Sequence, residues 1–400
     1  MTYTLLFDLD DTLLDTNIES FIPAYYQALS KHLEPYVSSE VMLPALLSGT
    51  NLMMESDDPS RTLKDVFDER FYEKLGIPKR DLLNEIEDFY DKEFPKLRGT
   101  TNSRPDAAPL IEWAIAQGYQ IAIATDPLFP RKATYHRLRW AGFDPEQFEL
   151  VSSFEKFHFT KTHAAYYAEM LGQLGWQDGP VLMIGNDMKR DIIPADRFGL
   201  KTYFIDNGSA SSSGPEAGRG KLADLRPWLE SQNPFALEPS FKSPEAIMAI
   251  LSSTPAVLSS LSQPLTEEQW RCEPTPDDWA VNEIVCHLRD TDLEVHAEQL
   301  QRMVEKDDAF IRRPDSSIWA NEREYLNVHG PSALTEFTAA RIQIVKTLKG
   351  LDSSMWQRKA RHAIFGPTNF IEVMGFATEH DRSHVQQMWR TLQNVQAERV

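Results

Sequence analysis

The stretch Leu5-Leu6-Phe7-Asp8-Leu9-Asp10-Asp11-Thr12-Leu13-Leu14 runs from an apolar strand straight into a cluster of carboxylates. A strand that ends in a D-x-D-x-T turn presents two acids at the carboxyl edge of a sheet, where open α/β folds place their ligands. Asp8 and Asp10 are two residues apart, so in extended chain their side chains lie on one face. Carboxylates this close repel unless a cation or a proton separates them, so the segment suggests a metal site or an acid–base pair. Taken alone, the same acids also serve as ordinary turn formers.

Three further pieces follow in order. The apolar run 119–124 ends at Thr125-Asp126-Pro127, and Lys161 precedes a helical run over 162–171. A third strand, 181–184, ends in Gly185-Asn186-Asp187-Met188-Lys189-Arg190-Asp191. A hydroxyl, an ammonium and a second acid pair thus come after the opening acids. This order and spacing resembles the haloacid dehalogenase-like (HAD) hydrolase superfamily over roughly the first 230 residues, and implies a Rossmann-like α/β core.

The resemblance also implies roles. Asp8 would attack phosphorus to give an aspartyl-phosphate, and Asp10 would protonate the leaving oxygen and then deprotonate the water. Thr125 and Lys161 would hold phosphoryl oxygens, with Lys161 also screening Asp8 from its acidic neighbours. Asp187 and Asp191 would complete an all-oxygen Mg²⁺ site with Asp8 and the backbone carbonyl of Asp10. An acid at Asp10 favours phosphate chemistry, because halide leaves without a proton and true dehalogenases lack an acid there. Two departures stand out. Asp126 occupies a place where relatives often carry Asn, and the last motif reads Gly-Asn-Asp. The four-residue spacing to Asp191 selects Asp187 rather than Asn186 as the metal-facing residue.

Residues 17–102 have helix-like apolar spacing, as in 18–33 and 62–75, broken by Pro35, Pro59 and Pro78. In the resemblance this is a helical cap that closes over the site and selects the substrate. Tyr25, Tyr26, Asn51, Met53 and Met54 lie in it, and residue type alone singles out none of them. The core is then 1–16 and 103–231, with 232–242 as a Pro-rich linker. Residues 207–220 are the least complex stretch and read as a surface loop.

The chain has 400 residues, too many for one core, and 42% hydrophobic residues, enough for several. Two cysteines, Cys272 and Cys286, argue for a reducing, cytoplasmic compartment. No apolar run reads as a membrane span, and no basic-then-apolar leader opens the chain. A net charge of −19 disfavours nucleic acid and anionic membranes as partners. A small phosphorylated substrate must therefore be held locally, against the field of the whole chain.

From about residue 243 the apolar spacing is helical almost throughout. Candidates near 244–262, 280–305, 331–350 and 368–395 suggest an antiparallel four-helix bundle over 243–400. Turns such as 273–279, 312–315 and Gly366-Pro367 separate them. His380 and His384 are four apart, roughly 6 Å of rise on one helix face, and His287 sits on an earlier helix. Asp381 stands where a zincin motif would have Glu. With Trp279 in a Pro-rich turn and Arg341 on the third helix, the pattern resembles the DinB/YfiT-like metalloproteins. That resemblance implies one divalent metal on His287, His380 and His384, with positions left open for water or a low-molecular-weight thiol. Zn²⁺, Ni²⁺ or another divalent ion would suit neutral imidazoles. It further implies a homodimer. His296 and His329 fall outside the motif and read as ordinary histidines, and Cys286 as a buried small residue.

The favoured expectation is a Mg²⁺-dependent phosphatase fused to a bundle with a three-histidine metal site. The alternatives are a metal-dependent thiol transferase or hydrolase centred on the bundle, and a bundle that only dimerises or regulates.

Overall fold

Strand β1 (Thr4–Phe7) is buried along its whole length, as a parallel strand covered on both faces must be. The computed structural model describes residues 2–208, 214–275 and 278–397. The middle of the expected surface loop, 209–213, and Pro276 and Asp277 of the Pro-rich turn lie outside the described residues. After β1 the chain turns through Asp11, which adopts a left-handed conformation at φ 56°, into β2 (Leu14–Thr16). That strand pairs antiparallel with β3 (Thr101–Ser103). The sheet is completed by β4 (Gln120–Ile123), β5 (Leu150–Val151), β6 (Val181–Gly185), β7 (Lys201–Ile205) and β8 (Gly218–Gly220). Its order is β5-β4-β1-β6-β7-β8, and every pairing is parallel. Phe7 lies opposite Ile123 on one side and Ile184 on the other. The strand order therefore switches at β1, and the acids that follow it stand at that switch point.

Between β2 and β3 come four helices, α1 (Ile18–Leu33), α2 (Ser39–Glu55), α3 (Leu63–Leu75) and α4 (Lys79–Asp88). Local signals set their ends. The Asn17 side chain accepts from the Ser20 N–H at the start of α1. Thr62 and Asp65 form a capping box on α3, and Gly76 closes it at φ 67°. Aromatic rings hold this layer together. Phe21 is fully buried and meets Phe94 edge-on with ring centroids 6.1 Å apart. The Tyr25 ring meets Phe129 at 5.3 Å. Each such buried ring contributes roughly 1.5–3 kcal/mol.

The chain divides into two units: one runs to His163 and resumes at Asp178–Pro239, and the other comprises Ala164–Gln177 and everything from Ser240. The helix Ala164–Gln173, directly after the Lys161 segment, thus groups with the C-terminal helices. It packs on the helix Pro244–Ser262 so closely that a Cβ on Gly172 would come 2.5 Å from Val257. Four long helical stretches make the bundle: Pro244–Ser262, then 281–305 with a π-turn at Asp292–His296, Gly330–Lys349 and Phe370–Ala397.

Two expectations need correction. Pro244–Ser262 is long and apolar enough to cross a membrane by length and composition, but 67% of that window is buried in the protein. It is apolar all round because helices cover it. Gly366-Pro367 is a strand rather than a simple turn: Gly366–Asn369 pairs antiparallel with Lys359–His362, which pairs in parallel with Ala309–Ile311. Pro367 is tolerated there because its strand lies at the sheet edge.

Candidate functional site

Asp8 is the first residue past β1, and its N–H donates to the Ile184 carbonyl at 2.9 Å, so the neighbouring strand fixes its backbone. Its side chain is buried. Oδ1 accepts from Lys161 Nζ at 2.6 Å and Oδ2 from Thr12 Oγ1 at 3.1 Å. Burial pushes the Asp8 carboxyl up to about 7, and Lys161 opposes that rise while Asp191 and Asp10 add to it. Lys161 is itself 1% exposed and also pairs with Asp191. One ammonium between two buried carboxylates offsets part of their mutual repulsion. Thr125, two residues past β4, is buried at the same edge of the sheet.

Asp10 is held from two sides. Oδ1 accepts from Thr16 Oγ1 at 2.8 Å and Oδ2 from Arg137 Nη1 at 2.6 Å. Arg137 lies on the buried face of the helix Arg131–Ala141, and its guanidinium stacks on Phe129 at 4.8 Å. Sequence reading missed Arg137, because nothing in a helix 127 residues away marks it as a partner of the opening motif. If Asp10 gives a leaving alkoxide its proton, as the family resemblance implies, Arg137→Met should lower kcat roughly tenfold on alkyl phosphates and less on nitrophenyl phosphate. A uniform loss on both esters would show that Arg137 matters only for packing.

In the last motif the expectation places Asp187 toward the metal, and the two neighbouring side chains divide as follows. It is the outer atom of the Asn186 amide that reaches the opening acids, 3.1 Å from the Asp10 carbonyl oxygen and 3.2 Å from Asp8 Oδ2 and Thr12 Oγ1. Asp187 instead caps the turn that follows, its Oδ1 accepting from the N–H groups of Lys189 and Arg190. Asp191 Oδ2 accepts from the Asp187 N–H at 2.9 Å. A Cβ on Gly185 would lie 2.2 Å from that carboxylate, which explains the glycine. The extra negative charge at Asp126 is met by Arg190 at 3.5 Å and by the Lys161 N–H at 3.3 Å. Burial nevertheless raises its carboxyl above the usual range.

The Asn186 amide nitrogen donates to the Asp10 carbonyl and to Asp8 Oδ2; turned over, the same amide would add its oxygen to those two and make an oxygen cluster. Ligands at 2.0–2.1 Å around an octahedral Mg²⁺ sit about 2.9 Å apart, close to the spacings at Asn186. The donor set fits a hard cation.

In the bundle, one nitrogen from each of His287, His380 and His384 lies within 4.8 Å of the others. His287 Nε2 and His380 Nε2 are 3.0 Å apart. Two imidazoles on one tetrahedral ion, at 2.0–2.1 Å each, would be about 3.3 Å apart. Burial drives all three below the ordinary histidine range, His287 to about 3. Neutral imidazole is the form that binds metal. The Trp279 ring stacks on His384 at 5.7 Å, and Gln387 Oε1 lies 2.9 Å from His384 Nδ1.

Behind the imidazoles lies a fully buried ion cluster. Arg341 Nε and Nη2 donate to Asp292 at 2.8 and 2.9 Å, and Nη1 and Nη2 donate to Asp381. Thr254 Oγ1 adds a bond to Asp381 at 2.9 Å. Two carboxylates share one guanidinium, which favours a cation nearby. His296 departs from the expectation of an ordinary histidine. It is buried, bonded through Nδ1 to Asp292 at 2.9 Å, with its ring 5.6 Å from that of His380. The π-turn places it there. Cys286 is buried as expected, and burial pushes its thiol up to about 12.

Residues 5–205 match the family model described as haloacid dehalogenase-like hydrolase, and residues 250–388 match that of the DinB superfamily. Pyrophosphatase PpaX of Bacillus cereus strain AH820 is 26% identical over 238 residues, which is 58% of this chain and 97% of PpaX. Among solved structures, a HAD phosphatase from Thermococcus onnurineus aligns at 22% identity and a TM-score of 0.39, covering 58% of this chain and 99% of its own. YfiT from Bacillus subtilis aligns at 16% identity and a TM-score of 0.35, covering 38% and 87%. With its acids at the switch point of a parallel sheet and its histidines on a helical bundle, the chain belongs to the haloacid dehalogenase-like hydrolases and carries a DinB-superfamily domain on its C-terminal side.

Proposed function

We propose that the N-terminal unit is a Mg²⁺-dependent phosphatase that works through an aspartyl-phosphate. The observation that carries this reading is the Asp8 carboxylate, buried at the strand end and held by Lys161 Nζ at 2.6 Å. Asp8 attacks phosphorus, the bond from phosphorus to the leaving oxygen breaks, and Asp10 gives that oxygen a proton. Asp10 then takes a proton from water, whose oxygen attacks the aspartyl-phosphate and frees inorganic phosphate and Asp8. Thr125 and Lys161 hold phosphoryl oxygens while this happens. Asp8, the Asp10 carbonyl and Asn186 are the residues that would hold Mg²⁺, with Asp191 tied in through Lys161; Asp187 is better explained as a helix cap. The ion, when bound, supplies positive charge to the phosphoryl oxygens. The test is phosphate release from a panel of phosphoesters and from pyrophosphate, the bond suggested by the name of PpaX, with and without Mg²⁺.

The imidazole cluster favours a second activity in the bundle, metal-assisted hydrolysis or thiol transfer, on a divalent ion held by His287, His380 and His384. Dialysis against Zn²⁺ or Ni²⁺ followed by metal analysis should give one equivalent bound. His380→Ala should weaken binding by roughly a hundredfold or more. Retention of full affinity in that variant would remove the site from consideration. Free thiols at Cys272 and Cys286 fit a reducing, cytoplasmic compartment.

A further inference from the structure

Between the cap helices and the loops at the carboxyl edge of the sheet lies a cavity of about 160 Å³. Tyr26 on α1, Phe67 on α3 and Tyr90 just after α4 form one wall, and Phe129 and Phe154 form the other. Phe129 lies four residues past Thr125, on the loop that leaves the proposed phosphate site. Tyr26, Phe67 and Phe129 are only partly buried, so ring surface is left for something to cover.

Charge narrows what that is. The one cation among the described lining residues is Lys64, whose ammonium already pairs with Asp68. Of the lining acids, Glu87 is engaged by Lys132 at 2.7 Å and Glu155 by the Arg131 N–H at 3.0 Å. A second phosphate or a carboxylate placed here would lose its water and meet no opposite charge, in a chain of net charge −19.

We propose that this cavity receives the leaving group, and that the substrate is a phosphate monoester of an apolar, ring-bearing alcohol. The inference rests on the phosphatase reading and sharpens it: a flat uncharged ring fits the walls, whereas pyrophosphate does not. Of the cap residues that sequence left undistinguished, Tyr25 and Tyr26 line the cavity, whereas Asn51, Met53 and Met54 do not.

The test compares benzyl phosphate with glycerol phosphate and pyrophosphate, the two alcohols being of similar basicity so that the chemical step is alike. Benzyl phosphate should lead glycerol phosphate by roughly fifty-fold in kcat/KM, the size expected from burying a phenyl ring. Tyr26→Ala and, independently, Phe67→Leu should each cut that ratio at least fivefold, with melting curves run to show that both variants fold. Equal use of the two esters, or faster cleavage of pyrophosphate, with turnover that Asp8→Asn abolishes, overturns the inference and leaves the phosphatase reading standing. Turnover that Asp8→Asn does not change, or none on any substrate, overturns both.

Discussion

Asp8→Asn is expected to abolish phosphate release, by roughly 10⁴-fold or more, because the amide keeps the shape of the carboxylate but cannot displace an alkoxide from phosphorus. The fold should survive. Lys161 keeps its pairing with Asp191, and the Thr12 hydroxyl keeps an oxygen to donate to. Burial already raises Asp8 to about 7, so a neutral side chain at this position relieves a buried charge instead of creating one. The melting temperature should therefore hold or rise as activity disappears. Brief exposure to an ester labelled in phosphorus, followed by an acid quench, should leave label on the wild-type protein and none on the variant. Turnover within tenfold of wild type would exclude Asp8 as the nucleophile and with it the whole mechanism.

The largest effect on stability is expected from Arg341→Met. Removing this guanidinium leaves Asp292 with only His296 and Asp381 with only the Thr254 hydroxyl in a buried site, and breaking such a group from one side costs about 3–5 kcal/mol. That is a large share of the 5–15 kcal/mol typical of a whole domain. Burial works against ionised Asp292, and Arg341 with His296 holds it below the usual carboxylate range, so the acid cannot simply take up a proton at no cost. Arg341→Lys should recover only part of the loss, since one ammonium cannot serve two carboxylates with planar paired bonds. Adding Asp292→Asn and Asp381→Asn to Arg341→Met should recover more. Urea unfolding followed by tryptophan fluorescence gives the measurement, and a loss below about 1 kcal/mol would show that the cluster is not held as the distances indicate.

Both sites were legible where their chemistry is local in sequence. Asp8 and Asp10 share a face because a strand repeats every two residues, and His380 and His384 share one because a helix nearly repeats after four. Lys161 could be placed by order alone. The residues that escaped notice depend on register between distant segments. Asn186 and Asp187 are adjacent, and only the turn after β6 decides which side chain reaches Asp8. Arg137 is brought to Asp10 by how one helix packs, which no motif encodes. His296 faces His380 because a π-turn shifts the helix, and apolar spacing is blind to a single shifted residue. The short strands around residues 309–311, 359–362 and 366–369 were hidden for another reason, since three or four residues carry too little alternation to stand out among long helices.

The helix Ala164–Gln173 begins three residues after Lys161 and groups with the bundle, burying Tyr166, Tyr167 and Met170. Heredity is constrained by that arrangement. A gene recombining within the codons for 232–242 would look as though it exchanged whole domains, yet it would part this helix from Pro244–Ser262 and expose its rings. An exchange at that linker is therefore tolerated only where the incoming partner covers Tyr166, Tyr167 and Met170 as Pro244–Ser262 and its neighbours do here.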